Sequence, residues 1–329
     1  MVQFWKDVGI AFTMGFLLPA VLLGAIVSLT ANDLDVPTLT EPIIISDSTE
    51  VSDGLDSKWS VSVEGVAGQV FRIPLREYLA GVVLSEMPVS FEAEALKAQA
   101  VVARTYTMRA LTGSSKHEDA TLCIDPACCQ GYVDVVSYIG AGGKREDVEY
   151  IKKLISETDG LVITYGGTLI EATYFSCSGG VTEDAVAVWG SEVPYLQSVT
   201  SPGEEEAIYY TDTVIYTKDE LAARLGVTLG HNPALWVSDV TYTNGGGVAT
   251  MTIGGERFTG TEVRKLLDLR STAFTIVPDG AGVIIQTRGY GHRVGMSQYG
   301  ADAMAAVGCT FEEILSHYYV GTKLTPYAD

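Results

Sequence analysis

The chain has 329 residues, 47% hydrophobic and 19% charged, with five cysteines. That balance fits a folded chain with a sizeable core, not a disordered one or a disulfide-dense scaffold. A formal net charge of −20 argues against a nucleic-acid partner, which needs Lys and Arg to displace counterions, and against docking on anionic lipid through a basic patch.

No charged residue occurs from Val8 to Asn32, and "GIAFTMGFLLPAVLLGAIVSLT" is mostly apolar. About 20 such residues cross a bilayer core as a helix, and membrane helices tolerate a proline such as Pro19. The expectation is one transmembrane anchor over 8–31. A cleaved signal peptide competes, but its apolar region is usually about 7–15 residues with small residues before the cut. Here the run is longer, and Leu29 spoils a cut after Ala31. Lys6 precedes the span and acidic residues follow it, so the positive-inside rule leaves residues 1–7 in the cytoplasm and the rest outside. Residues 32–57 are acidic and without periodicity, and read as a linker; a short strand around "PIIIS" is the competing reading.

From Trp59 the pattern becomes regular. "WSVSVEG" and "QVFRIPL" alternate as a hairpin. In "LREYLAGVVLSE", Leu75, Tyr78, Leu79, Val82 and Val83 share a helix face, and Pro88 ends the helix through its restriction on Met87. Ser90 suits an N-cap for an Ala-rich helix to about Leu111, with Glu92 and Glu94 at its start. After an irregular stretch with a cysteine cluster and a short charged helix, "LVITYGGTLIEATYF" reads as a hairpin on a Gly-Gly turn. "VSDVTYTNGGGVATMTI" is another hairpin, followed by the helix "TGTEVRKLLDL". "GVIIQTRGYGH" is a strand entering a Gly-rich loop, and "FEEILSHYYV" is a closing helix. Local strand pairing with irregular helices predicts an α+β fold of mixed and antiparallel sheets, with helices forming a groove and a domain over 58–329. An inserted subdomain is expected around 200–275.

Glu86 is the candidate acid. It ends an apolar helix at the negative end of the dipole, beside Val82, Val83, Leu84 and Met87. Both features make a carboxyl harder to ionise and keep it able to donate a proton near neutral pH. The competing reading is a solvent-facing glutamate at a helix end. No second acid nearby is an obvious partner of the kind ordinary glycosidases use.

Three long stretches, in order, resemble the stage II sporulation protein D family: "REYLAGVVLSEMPVSFEAEALKAQAVVARTYTM", "ATYFSCSGGVTEDAVAVWGSEVPYLQSVTSP" and "RGYGHRVGMSQYGADAMAAVGCTFEEILSHYYVGTKL". The likeness spans about Val61 to Pro326. It implies a peptidoglycan lytic transglycosylase with Glu86 as acid/base. It also implies action on strands stripped of stem peptides, a partner amidase and a membrane partner at the engulfing mother-cell membrane facing the forespore. In such a reaction one carboxyl protonates the bridging oxygen between MurNAc and GlcNAc. As carboxylate it then deprotonates the muramyl C6 hydroxyl, giving a 1,6-anhydro end. Candidate substrate-binding residues are Lys97 and Arg104, on one face of the second helix, then Tyr174, Ser176, Ser178, His292, Gln298 and Tyr299. For Lys97 and Arg104 the competing reading is a solvated basic stripe; for the Gly-rich loop it is a tight turn. A Ser nucleophile in "SCSGG" lacks the G-x-S-x-G elbow. The chain departs from the family at Arg293, where glycine is usual, and at Phe175 and Cys177, where His and Thr are common.

"HEDATLCIDPACCQGY" places His117, Cys123, Cys128 and Cys129 within 13 residues. Thiolates plus imidazole suit a structural zinc ion. Some members of the family are thought to bind zinc in this loop, with His-Cys in place of Cys128-Cys129. A Cys123–Cys129 disulfide is the competing reading. Cys177 and Cys309 read as buried small residues. Two other functions stay open beside the transglycosylase: a glycan-binding activator of an amidase, and a zinc-dependent hydrolase.

Overall fold

The computed structural model describes residues 54–65, 68–113 and 115–327. The expected anchor at 8–31, the end at 1–7 and the linker up to residue 53 lie outside the described residues. Among the described residues no helix is long and apolar enough to cross a membrane. Residues 55–57, expected to belong to the linker, are part of a folded turn. Leu55–Lys58 forms a 3-10 turn, and Asp56 within it is buried.

Strands β1 (Ser60–Glu64) and β2 (Val70–Pro74) form the expected hairpin, and helix α1 (Leu75–Glu86) follows at once. Ala80, Gly81 and Leu84 are buried with the predicted face, so α1 is enclosed nearly all round. Met87 leaves the helix extended, at φ −132° and ψ 140°, as the residue before a proline must. Helix α2 (Ala93–Thr112) starts at Glu92 and not at Ser90, because Asp302 Oδ1 takes the Glu92 N–H at 2.7 Å. Strand β3 (Leu122–Cys123) adds to β1 in parallel, and helices α3 (Val135–Gly140) and α4 (Arg145–Glu157) come next.

Strands β4 (Leu161–Tyr165) and β5 (Thr168–Leu169) turn on Gly166-Gly167, both at positive φ. The hairpin does not run on to Phe175 as expected. Thr173 is tied to Val294 and Tyr319, so β6 (Tyr174–Phe175) departs to pair in parallel elsewhere. After α5 (Ala185–Trp189) the chain enters the insertion, which holds β7 (Thr211–Thr217), α6 (Lys218–Leu225), β8 (Val237–Tyr242), β9 (Val248–Ile253), β10 (Glu256–Thr259), α7 (Gly260–Leu266), β11 (Phe274–Asp279) and β12 (Gly282–Arg288). Its two antiparallel sheets, β10-β9-β8 and β11-β12-β7, enclose a core of their own around Leu221, Trp236, Ile253, Val263 and Ile285. The insertion therefore extends past 275, because β11 and β12 close it.

The chain returns as β13 (Met296–Ser297), the partner of β6, then α8 (Gln298–Ala306), α9 (Phe311–Tyr318) and β14 (Lys323–Pro326), which pairs with β4. Helix α2 is the axle of the main core, packed by α1, α4, α8, α9 and β4. Its small residues Ala95, Ala98, Ala100 and Ala103 are fully buried, which lets neighbours approach on every side. The fold class is α+β, as expected.

Candidate active site and metal centre

Glu86 is the last residue of α1, half-buried. Segment 130–133 runs along this helix, and two glycines make the approach possible. A Cβ on Gly81 would meet the Tyr132 ring at 2.4 Å, and one on Gly131 would meet Glu86 Oε1 at 2.9 Å. The Gly131 N–H thereby donates to Glu86 Oε1 at 2.8 Å. The parallel pair β6–β13 brings in the other partners. Tyr174 OH donates to Oε1 at 3.1 Å, and Gln298 Nε2 to Oε2 at 3.4 Å. None of these three partners is a carboxylate.

Burial pushes the Glu86 pKa up, and the donors from Gly131, Tyr174 and Gln298 pull it back without cancelling the rise. Burial thus makes the carboxyl harder to ionise than one in water. Tyr174 OH also lies 3.4 Å from Gln130 Oε1. A phenol has one proton, so Tyr174 can give it to the carboxylate, or to Gln130 when Glu86 carries its own. The Gln130 carboxamide is held by Tyr78 and Thr107.

Of the other expected substrate residues, two are in the wrong place. Arg104 is fully buried against Asp56 and the end of α4, with bonds to the Ile155 and Leu161 carbonyls. Ser178 is also fully buried, and donates through Oγ and N–H to Glu204 Oε2. Lys97 pairs with Glu94 and Glu157. Lys97 and Arg104 do share a helix face, but it looks at α4. Ser176 contributes its carbonyl, which accepts from Tyr299 N–H at 3.0 Å. His292 packs between Phe175 and Trp189. Burial lowers its pKa to about 4, with Arg264 adding to the shift, so it is neutral. Tyr299 neighbours Gln298 and packs on Phe91.

The His117, Cys123, Cys128 and Cys129 donor atoms all lie within 4.8 Å of one another. A turn built on Asp125, whose carbonyl takes both the Cys128 and Cys129 N–H, aims adjacent thiols at one point. His117 Nε2 is 3.2 Å from Cys129 Sγ and 3.7 Å from Cys128 Sγ, and the two sulfurs are 3.9 Å apart. Tetrahedral zinc with bonds of about 2.3 Å spaces thiolates by about 3.8 Å, so the donor set fits that ion. Glu64 Oε2 lies 3.1 Å from the other His117 nitrogen, a contact of the kind that orients an imidazole able to ligate a metal. All five cysteines are free thiols; Cys177 is buried and Cys309 half-buried, close to expectation.

Gln130, Gly131 and Glu64 were missed by sequence reasoning. Gly131 acts through a backbone N–H, which leaves no side-chain signature. Its one available signal was a glycine directly after the cysteine loop.

The family model described as "SpoIID: Stage II sporulation protein" matches residues 64–165. A stage II sporulation protein D of Bacillus subtilis (strain 168) is 40% identical over 273 residues, covering 81% of this chain and 79% of its own. That of Bacillus amyloliquefaciens is 39% identical, over 78% and 75% respectively. The chain belongs to the stage II sporulation protein D family. An "Amidase enhancer" of Bacillus subtilis (strain 168) is also similar, at 30% identity over 76% of this chain but 40% of that relative's length. The family's printed description places it in sporulation.

Proposed function

We propose that this chain is a membrane-anchored lytic transglycosylase that cuts the MurNAc–GlcNAc bond of stem-free peptidoglycan during engulfment. The observation that carries the reading is the half-buried Glu86 carboxyl, its pKa raised by burial and its oxygens held by Gly131, Tyr174 and Gln298. Glu86 gives its proton to the bridging oxygen as the C1–O bond breaks. The carboxylate left behind is stabilised by the three donors, then takes the proton of the muramyl C6 hydroxyl as its oxygen bonds to C1. One proton leaves and one returns, and no water is consumed. A lone acid/base with no carboxylate partner suits this route better than hydrolysis through two acids.

His117, Cys123, Cys128 and Cys129 would hold a zinc ion. When bound it ties the loop that delivers Gln130 and Gly131 to Glu86, a structural task. Residues 8–31 supply the anchor in this reading, leaving the domain outside the membrane.

The test is mass spectrometry of stem-free glycan incubated with the purified full-length protein. Anhydro-muramyl ends that vanish in Glu86→Gln are the expected outcome, whereas reducing ends mean hydrolysis. A second reading, a non-catalytic glycan-binding activator of an amidase, draws on the relative named amidase enhancer. It expects no anhydro ends, and amidase stimulation that survives Glu86→Gln.

A further inference from the structure

Four aromatic rings run in a row near the residues that hold Glu86. Phe91 meets Tyr299 with centroids 5.0 Å apart, Tyr299 meets Tyr209 at 5.9 Å, and Tyr209 meets Tyr290 at 5.2 Å. The row starts beside the acid from two directions. Phe91 closes the turn that leaves α1, its N–H on the Pro88 carbonyl at 3.0 Å. Tyr299 follows Gln298, whose carboxamide touches Glu86. Tyr209 precedes β7, and Tyr290 follows β12.

Arg270, between α7 and β11, lies over the outer two rings, 5.4 Å from the Tyr209 centroid and 5.8 Å from that of Tyr290. Its Nε is 3.3 Å from Asp212 Oδ2, and its carbonyl takes the Gly291 N–H at 3.0 Å. The two terminal nitrogens have no hydrogen-bond partner among the described residues. Tyr209, Tyr290 and Tyr299 belong to neither hydrophobic core, and Tyr290 is 42% exposed.

Phe91 packs against the main core, but core packing does not explain the three tyrosine rings. An exposed ring at Tyr290, half-buried rings at Tyr209 and Tyr299 and their phenol hydroxyls match one ligand chemistry. A pyranose ring offers C–H bonds to an aromatic face and hydroxyls to its rim. The guanidinium adds positive charge in a strongly acidic chain, which suits the carbonyl and carboxylate substituents of amino sugars.

We propose that Phe91, Tyr299, Tyr209 and Tyr290, steadied by Arg270, form a subsite for the amino-sugar residues flanking the bond next to Glu86. The inference rests on the reading of Glu86 as a glycan-cleaving acid. The insertion thereby takes part in substrate binding, because the outer end of the row is held by Arg270 from within it.

The test uses the full-length Glu86→Gln protein and a soluble, stem-free MurNAc–GlcNAc oligosaccharide, with affinity measured by calorimetry. Tyr290→Ala is expected to weaken binding about tenfold, and Tyr290→Phe, which keeps the ring, to stay within about twofold. In the protein with Glu86 intact, Tyr290→Ala is expected to raise KM by a similar factor with kcat nearly unchanged. Unchanged affinity for Tyr290→Ala at native Tm overturns the subsite, and so does a Tyr290→Phe variant that loses as much as Tyr290→Ala. Anhydro ends with Tyr290-independent binding sink the subsite and leave Glu86 as the acid. Tyr290-dependent binding without anhydro ends does the reverse.

Discussion

The guanidinium of Arg104 meets the carboxylate of Asp56 at 2.8 Å, with both side chains shut off from water. Arg104 Nε also bonds Asp56, and its other nitrogens reach the Ile155 and Leu161 carbonyls. Removing the cation strands a buried anion. Arg104→Ala is expected to cost about 3–5 kcal/mol in urea unfolding, and Arg104→Lys to recover little, since one ammonium cannot span the same acceptors. A truncation starting at residue 58 loses Asp56 and is expected to unfold more easily than one starting at 54. Equal midpoints for the two would show the pair to be dispensable.

Glu86 titrates above the ordinary carboxyl range because it is buried. Between the unfolded and folded pKa values the native state holds a proton that the unfolded chain has released. Stability therefore falls as pH rises through that window and levels off above the folded pKa. Glu86→Gln removes the effect. It is expected to raise stability at neutral pH, with the gain shrinking as pH falls into the acid range. For turnover, the proton-donating form is lost as pH rises through the same raised pKa. A lower Tm for Glu86→Gln at neutral pH would mean the Glu86 pKa is not raised.

Gly131→Ala places a methyl 2.9 Å from both Glu86 Oε1 and Ser85 Oγ. The loop or the acid must shift, and the 2.8 Å bond lengthens. A displacement near 1 Å costs about 10²-fold in rate. Anhydro-end release in a timed digest is expected to drop by that order while glycan binding holds.

Purified protein is expected to carry one zinc by atomic spectroscopy, and chelation to lower its Tm. Glu64→Gln weakens the support of His117, and zinc affinity should fall about 10–100-fold in a competition titration. Zinc retained by a Cys123→Ser/Cys129→Ser double variant would place the ion elsewhere.

Arg293 occupies a left-handed conformation, φ 66°, where the family usually has glycine. The cost is about 1 kcal/mol, and four contacts offset it. Arg293 Nε bonds the Ser178 carbonyl, Nη2 the Val181 and Gly245 carbonyls, and Nη1 the Glu183 carboxylate. Glu183 also takes Thr243 Oγ1 and the Gly247 N–H, so the β8–β9 turn of the insertion is bolted to the main core. Arg293→Gly relieves the backbone but leaves Glu183 buried without its cation. The expectation is a net loss of about 2 kcal/mol and faster amide exchange at residues 243–247.

What the sequence disclosed follows from the range of each interaction. The β1–β2 hairpin, α1 and the Gly166-Gly167 turn are set by neighbours in the chain and were legible. Arg104 was misread because its partner lies 48 positions away in an acidic stretch without periodicity. Ser178 looked like an open loop residue because its acceptor, Glu204, is set by tertiary folding. At Glu86 a carboxyl ending an apolar helix was visible in the sequence, and the family resemblance singled it out as the candidate acid. Its clamp was not visible, since Gly131 contributes a peptide group and Tyr174 and Gln298 arrive through a parallel pairing of distant strands. Arg293 was noticed as a departure, yet its compensation needed coordinates.

The β6–β13 pairing joins Tyr174 to Met296 across the whole length of the insertion. A ribosome delivers Glu86 early and Gln298 late, so the growing chain holds Glu86 long before the last donor that steadies it. In the reading given above, a half-exported or prematurely ended protein meets the wall unable to cut it.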